Sequence, residues 1–290
     1  MPDELIHADP TCHPLNWAAL AVATAGLSHL EAGPPLPCQD AAGAAAGERS
    51  VLIVADGAGS SPASDQGARA VVTAVMRLLD TLEAQVARLL DRAGGPDEEN
   101  INQFARLLAK HARGVLMDLA EAQCRPVRDL RCTLLVLVTG RSYLMWLKVG
   151  DGAIVIEQAV PADPDLDNGG PGVAPLLITL GEPGRGEFAN QTTFVDDRLE
   201  PDQVQSGSRP VGQMTGAAVM TDGAAEKLVS LDGGQVSGQL SHWLDGLRRG
   251  KLRQRDLVRL FYSEAFCRGT TGDDRSIALA ARDLPQQALE

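Results

Sequence analysis

Five aspartates carry the chemistry this sequence could do, and each sits where an apolar run starts or stops. Asp56 follows "VLIVA", Asp151 falls in "KVGDG", and Asp222 falls in "VMTDG". Asp40 closes "PCQD" ahead of the Asp56 run, and Asp273, followed by Asp274, precedes "RSIALAA". A strand end is a rigid platform, and a glycine beside a carboxylate leaves the adjoining space open. If neighbouring strands are antiparallel, the end of one lies beside the start of the next. Asp40, Asp56, Asp151, Asp222 and Asp273 are then expected along one edge. Carboxylates gathered in this way repel one another and resist desolvation. A hard divalent cation reverses that balance, and an oxygen-only set suits Mg2+ or Mn2+ rather than zinc. Two such ions roughly 3.5–4 Å apart can share a bridging water, lower its pKa and favour in-line attack on phosphorus. A lone Asp-Gly at a strand end is usually an ordinary turn. Three such pairs, with an Asp-Asp before a further run, are a stronger signal together than any of them alone.

The elements that must hold these groups follow from periodicity. Residues 17–25 and "SVLIVAD" read as strands, with residues 33–48 as the Pro/Gly loop between them. Apolar residues at helical spacing predict one long helix over about 62–92, carrying Ala68, Val71, Val72, Val75, Leu78, Leu79 and Leu82. A second helix is predicted over about 97–123, with Ile101, Phe104, Leu107, Leu108, Val115, Leu116 and Leu119 inward. "CTLLVLVTG" and "RSYLMWLKVGDGAIVI" read as a hairpin continuing into a third short strand. "PLLITL" and "EFANQTTFV" read as weaker strands, and "GAAVMTDG" as a short one. Two helices near 235–248 and 253–267 precede a final strand in "DRSIALAAR". Strands joined by short turns imply antiparallel sheets, and paired amphipathic helices must cover them. The expected fold is α+β, a four-layer α-β-β-α sandwich of two antiparallel sheets flanked by helix pairs.

Taken in order, "CQD", "ADGAG", "CTLLVLV", "VGDGAIVI", "MTDGAAE" and "GDDRSIAL" resemble the motifs of the metal-dependent PP2C-type protein Ser/Thr phosphatases. The stretch "GLSHLEAGPPLPCQDA" looks like a bacterial branch of that family. The resemblance spans about residues 17–282 and implies one phosphatase domain over 1–290, with 158–200 matching a variable flap. It implies hydrolysis of phosphoserine and phosphothreonine in proteins by a metal-bridging hydroxide, with two Mn2+ or Mg2+ ions and a weaker third. By resemblance, Asp56 bridges the metals, Gly57 offers its carbonyl, and Asp222 and Asp273 complete the second site. Asp40 resembles a holder of metal-bound water, and Asp151 and Glu226 match the positions of the third ion. Gln39 stands where many members have a glutamate, and Asp274 where an asparagine is common. Two family residues are missing. Ala58 occupies the place of a histidine that protonates the leaving group. Pro34, Pro35 and Leu36 occupy the region of an arginine that grips phosphate, and His29 is the nearby candidate to replace it. The implied partner is a phosphorylated protein with a cognate Ser/Thr kinase. A PP2C-fold binding or regulatory module with little catalysis is the alternative, and a two-metal phosphoesterase of small molecules or nucleic acid is a third.

Bulk properties narrow the choice. The net charge of −12 and the lack of a basic stripe oppose nucleic-acid binding. Five cysteines without a CxxC argue against a disulfide framework or a zinc knuckle. The N-terminus lacks the basic start of a signal peptide, and no apolar run nears the ~20 residues of a membrane span. A cytoplasmic protein with reduced thiols and no membrane partner is expected. An apolar fraction of 44% with only 3% aromatics predicts a core of aliphatic side chains. "GAGSS" lacks the Gly-Lys of a phosphate loop, and GxSxG is absent. Ser60 and Ser61 therefore read as helix-start residues. "DPDLDNGG" departs from a calcium loop at Asn168 and Ala174. Thr133 reads as packing, although it matches a family Ser/Thr position.

Overall fold

The computed structural model describes residues 16–161, 173–183 and 192–283. The chain begins with β1 (Ala18–Thr24), a short helix α1 (Leu27–Leu30), β2 (Ala41–Ala45) and β3 (Val51–Ala55). Three helices follow, α2 (Ser64–Thr81), α3 (Glu83–Leu90) and α4 (Glu98–Ala122). Then come β4 (Leu134–Thr139), β5 (Tyr143–Val149), β6 (Ala153–Pro161), β7 (Val173–Leu180), β8 (Gln205–Pro210) and β9 (Met214–Met220). The chain ends with α5 (Asp222–Ala225), α6 (Gln239–Arg248), α7 (Gln254–Phe261), α8 (Glu264–Cys267) and β10 (Arg275–Ala281). No described helix is long and apolar enough to cross a membrane.

The strands form two antiparallel sheets, ordered β1-β10-β9-β6-β7 and β2-β3-β4-β5-β8. Side chains alternate across a strand, so each run of apolar residues feeds two cores. In β3, Leu52 and Val54 face the other sheet, where they meet the layer of Ile154, Ile156, Val219 and Ala278. Ile53 faces outward and packs with Val71, Val75, Leu108 and Leu116 of α2 and α4. On the far side, Val155, Ala218 and Leu279 pack under Trp243, Leu244 and Phe261. This is the expected α-β-β-α sandwich. Burying one Val or Leu contributes roughly 1.5–3 kcal/mol. A handful of them offsets the few kcal/mol that clustered carboxylates cost at an edge.

The structure differs from the sequence reading in instructive places. The helix predicted over 62–92 is interrupted at Leu82, which separates α2 from α3. Strand β2 runs through "AAGAA", within the predicted loop, and β8 through "QSGSRP" was not anticipated. Both are edge strands of small or polar residues, which carry little periodic signal. Their glycines are there for space: a Cβ on Gly43 would meet Val72 at 3.0 Å, and one on Gly207 would meet the Trp146 ring at 2.9 Å. The third strand of the predicted hairpin does not extend the second sheet. The chain turns at Gly150, at φ +119°, and β6 pairs with β7 and β9 of the other sheet. In α4 the buried row is Ile101, Ala105, Leu108, Ala112 and Leu116, while Leu107 is exposed. Close packing selects the alanine face rather than the largest side chains. "DPDLDNGG" and most of "EFANQTTFV" lie outside the described residues; Val195 forms an isolated bridge to Cys132.

Candidate metal centre at the end of the sandwich

Strand register brings the aspartates to one edge. Ala41 pairs with Ala55, so Asp40 enters β2 beside the point where Asp56 leaves β3. Met220 pairs with both Ile277 and Ala153. The start of α5, the Asp273–Asp274 pair and the β5–β6 turn therefore share one end of the first sheet. Carboxylate oxygens of Asp56, Asp151 and Asp222 all lie within 4.8 Å of one another. Asp273 and Asp40 lie close enough to act on Asp56 electrostatically.

Local bonds fix each group. The Asp56 amide donates to Thr133 Oγ1 at 2.8 Å, and the Thr133 amide donates to the Asp56 carbonyl at 2.8 Å. Thr133 is thus a holder of the Asp56 turn rather than simple packing. Thr221 Oγ1 donates to Asp40 Oδ2 at 2.8 Å and accepts from the Ser276 amide at 3.0 Å. That hydroxyl ties the two sheets together under the cluster. Asp274 accepts from the Gly26 amide at 2.7 Å and the Gln39 amide at 2.5 Å, joining three loops around the site. Thr192 Oγ1 donates to Asp151 Oδ2 at 2.8 Å. Glu226 Oε2 accepts from the Thr271 amide at 3.1 Å. Together with Asp151 and Asp222 it lines a cavity that also contains Lys148 and Thr179. A Cβ on Gly57 would meet the Gln39 carbonyl at 2.7 Å, and one on Gly223 the Asp274 carbonyl at 2.1 Å. The two glycines let the acidic loops close on each other.

His29 is placed beside this framework. Its Nδ1 lies 2.9 Å from Asp274 Oδ1, at ion-pair distance but off the direction of a hydrogen bond. Its contact is therefore with an anchoring carboxylate. Ala58 is buried and offers no proton.

The electrostatics are those of a buried acidic site. Burial pushes the Asp56 carboxyl well above the usual carboxylate range, and Asp40, Asp222, Asp273 and Asp151 push it further. Asp40 is raised by burial and then by Asp274, against the hydrogen bond from Thr221. Among the described residues no Lys or Arg ion pair reaches Asp40, Asp56 or Asp273. Burial, then Asp274 and Asp40, raises the Cys38 thiol, so it stays protonated. Lys148 is pushed down to about 8 by burial, and its Nζ donates to the Glu182 carbonyl at 2.7 Å. A set of close carboxylate oxygens, with Asp56 and Asp40 raised by burial and by neighbouring charges, fits a hard divalent cation.

Known proteins place this arrangement in a class. The sequence profile described as Protein phosphatase 2C matches residues 25–259. The chain belongs to that family, and with its acidic cluster it is a metal-dependent protein phosphatase. It is 28% identical over 277 residues to serine/threonine-protein phosphatase 3 of Escherichia coli (strain K12), spanning 92% of this chain and 98% of that protein. Among solved structures it resembles a bacterial serine phosphatase with a TM-score of 0.59 at 12% identity, covering 92% of this chain and 98% of the other. It also resembles the catalytic domain of the serine threonine protein phosphatase PstP in complex with two manganese ions. That TM-score is 0.54 at 15% identity, with 92% and 98% coverage. At such identities the structural likeness concerns the fold alone.

Proposed function

We propose that this chain removes phosphate from phosphoserine and phosphothreonine of a protein substrate, using Mn2+ or Mg2+ bound at the Asp56 edge. The observation that carries this reading is the convergence of Asp56, Asp151 and Asp222 within 4.8 Å, fed by two sheets. Asp56, Asp222, Asp273 and the Gly57 carbonyl are the proposed holders of two ions, and Asp151 with Glu226 of a weaker third. Bound there, the ions supply activation of water and neutralisation of phosphoryl charge. Asp40, which accepts from Thr221 Oγ1, would orient a water beside the ions. Ser60 and Ser61 accept from Arg131, Ser61 donates to a backbone carbonyl, and among the described residues no base pairs with either, which supports water as the nucleophile. Hydrolysis is therefore direct, without a phosphoenzyme.

The proposed unit is the whole chain, 1–290, with a core at about 17–282; the flap expected over 158–200 overlaps strands β6 and β7, and its 162–172 and 184–191 segments lie outside the described residues. The similarity to serine/threonine-protein phosphatase 3 of E. coli supports a phosphoprotein substrate; a cognate kinase is its natural counterpart. Cys38, Cys124, Cys132 and Cys267 are all unpaired, which supports a reducing, cytoplasmic setting. Assaying a phosphothreonine peptide and p-nitrophenyl phosphate with Mn2+, with and without EDTA, tests the reading. Turnover that EDTA removes, and that Asp56→Asn lacks, supports it. Metal binding without turnover favours the second reading, a regulatory module, which Ala58 and the 34–36 segment motivate. Preference for nucleotides over phosphopeptides would point to a phosphoesterase of another substrate class.

A further inference from the structure

The acidic edge needs a cation to receive a phosphate dianion, and the chain lacks one at residues 34–36. Two arginines approach the site from elsewhere. Arg69 Nη2 donates to the Cys38 carbonyl at 3.2 Å, but its other terminal nitrogen lies 3.8 Å from Asp65, and its side chain is 57% exposed. Its charge is already shared. Arg131 is different. Gly57 bridges Cys132, and the Ala58 amide donates to the Arg131 carbonyl at 3.2 Å. Arg131 therefore stands across the strand pair from Ala58, two residues beyond Asp56. Residues directly opposite in an antiparallel pair present their side chains on the same face.

The guanidinium is held in place by neutral groups. Its Nη2 donates to Ser60 Oγ at 2.8 Å, its Nε donates to Ser61 Oγ at 3.2 Å, and it stacks over the Phe194 ring at 5.0 Å. Ser61 is itself fixed, donating to the Arg128 carbonyl at 2.8 Å. Among the described ion pairs, none joins Arg131 to a carboxylate, although the chain is strongly acidic. A planar, fixed guanidinium with no carboxylate partner among the described residues, next to the metal-holding turn, suits contact with phosphate oxygens.

We propose that Arg131 is the phosphate-binding cation of this site, held ready by Ser60, Ser61 and Phe194. This rests on the phosphatase reading above and adds the residue that recognises the phosphoryl group. The serines fix its side-chain torsions before substrate arrives, which lowers the ordering cost of binding. The aromatic ring covers one face of the guanidinium, the serines take Nε and Nη2, and Nη1 has no hydrogen-bond partner among the described residues and is left for the anion.

The test is inorganic phosphate binding to the Mn2+-loaded protein by calorimetry, for wild type, Arg131→Met, Arg131→Lys and Arg69→Met. Manganese affinity and the thermal midpoint are measured on the same samples. Removing a charged donor to phosphate is expected to weaken phosphate binding about 10- to 100-fold in Arg131→Met. Arg131→Lys should recover part of that loss, because the charge returns without the fork. Arg69→Met should stay within about twofold of wild type, and manganese affinity should be unchanged in all four. With a phosphothreonine peptide, Arg131→Met should raise KM by a similar factor. Phosphate binding does not require turnover, so a protein that binds phosphate through Arg131 yet hydrolyses nothing would fail the phosphatase reading and keep this one. Wild type that binds no phosphate, or Arg131→Met that binds it as tightly as wild type, overturns the proposal. A loss in Arg69→Met instead of Arg131→Met overturns it too.

Discussion

Replacing Asp56 with asparagine should make the metal-free protein more stable while disabling it. Oxygens of Asp56, Asp151 and Asp222 lie within 4.8 Å of one another. At that separation two unit charges repel by about 3.5 kcal/mol at an effective dielectric of about 20, and by about 0.9 kcal/mol in water. Asp56 faces both neighbours, so full ionisation would cost about 2–7 kcal/mol. Partial protonation of the raised carboxyls relieves much of this. The neutral, isosteric amide should therefore gain about 2 kcal/mol at pH 7 without metal, or roughly 3–4 °C in Tm for a chain of this size. Manganese should reverse the order. An ion at 100 times its Kd adds about 2.7 kcal/mol to the wild type, whereas the variant lacks the charged ligand proposed at its centre. Differential scanning calorimetry with EDTA and with saturating Mn2+ measures both halves. An Asp56→Asn protein that melts below wild type in EDTA, or that gains as much from Mn2+ as wild type does, would refute the reasoning.

Three further outcomes follow from the same geometry. Asp40 and Asp56 have carboxyls raised above 3.8, so the folded protein without metal binds more protons than the unfolded chain above that value. Its stability should fall as pH rises from about 4 towards neutrality, and saturating Mn2+ should flatten that slope; urea titrations at several pH values measure it. Lys148 is lowered from 10.5 to about 8, so the folded state resists its charge and stability should rise by roughly 2–3 kcal/mol between those two pH values. Lys148→Met, compared with wild type across that range in EDTA, should remove the rise. Thr133→Val keeps the shape but leaves the Asp56 amide without its acceptor. It should cost about 1–3 kcal/mol and weaken Mn2+ binding, read by thermal melts and calorimetry.

The sequence carried the strand-end aspartates plainly, because an apolar run broken by Asp-Gly is a local signal that needs no partner to be seen. The layers were legible for a similar reason: α2 and β3–β5 show their period within a single segment. What stayed hidden depended on partners far along the chain. Strand β2 has alanines and a glycine because α2 covers it, and nothing in "AAGAA" itself says so. The link from Thr221 to Asp40 spans 181 residues, and that from Asp274 to Gln39 spans 235. Both became visible only with the register of the two sheets. The same holds for Arg131. "DLRCT" gives no hint that this side chain lies opposite Ala58, because cross-strand neighbours are set by the β3–β4 pairing. His29 looked like a cation free for phosphate because it is near in sequence to a missing arginine; the fold sets it against Asp274.

The account depends on divalent ions cancelling the repulsion among carboxylates that two sheets bring together. Anomalous diffraction from crystals soaked in Mn2+ tests that most directly. The account predicts density peaks at ligand distance, about 2.0–2.6 Å, from the carboxylate oxygens of Asp56, with Asp222 and Asp273 sharing them. Saturating Mn2+ that leaves no peak touching Asp56, with the ions bound elsewhere or not at all, would contradict it.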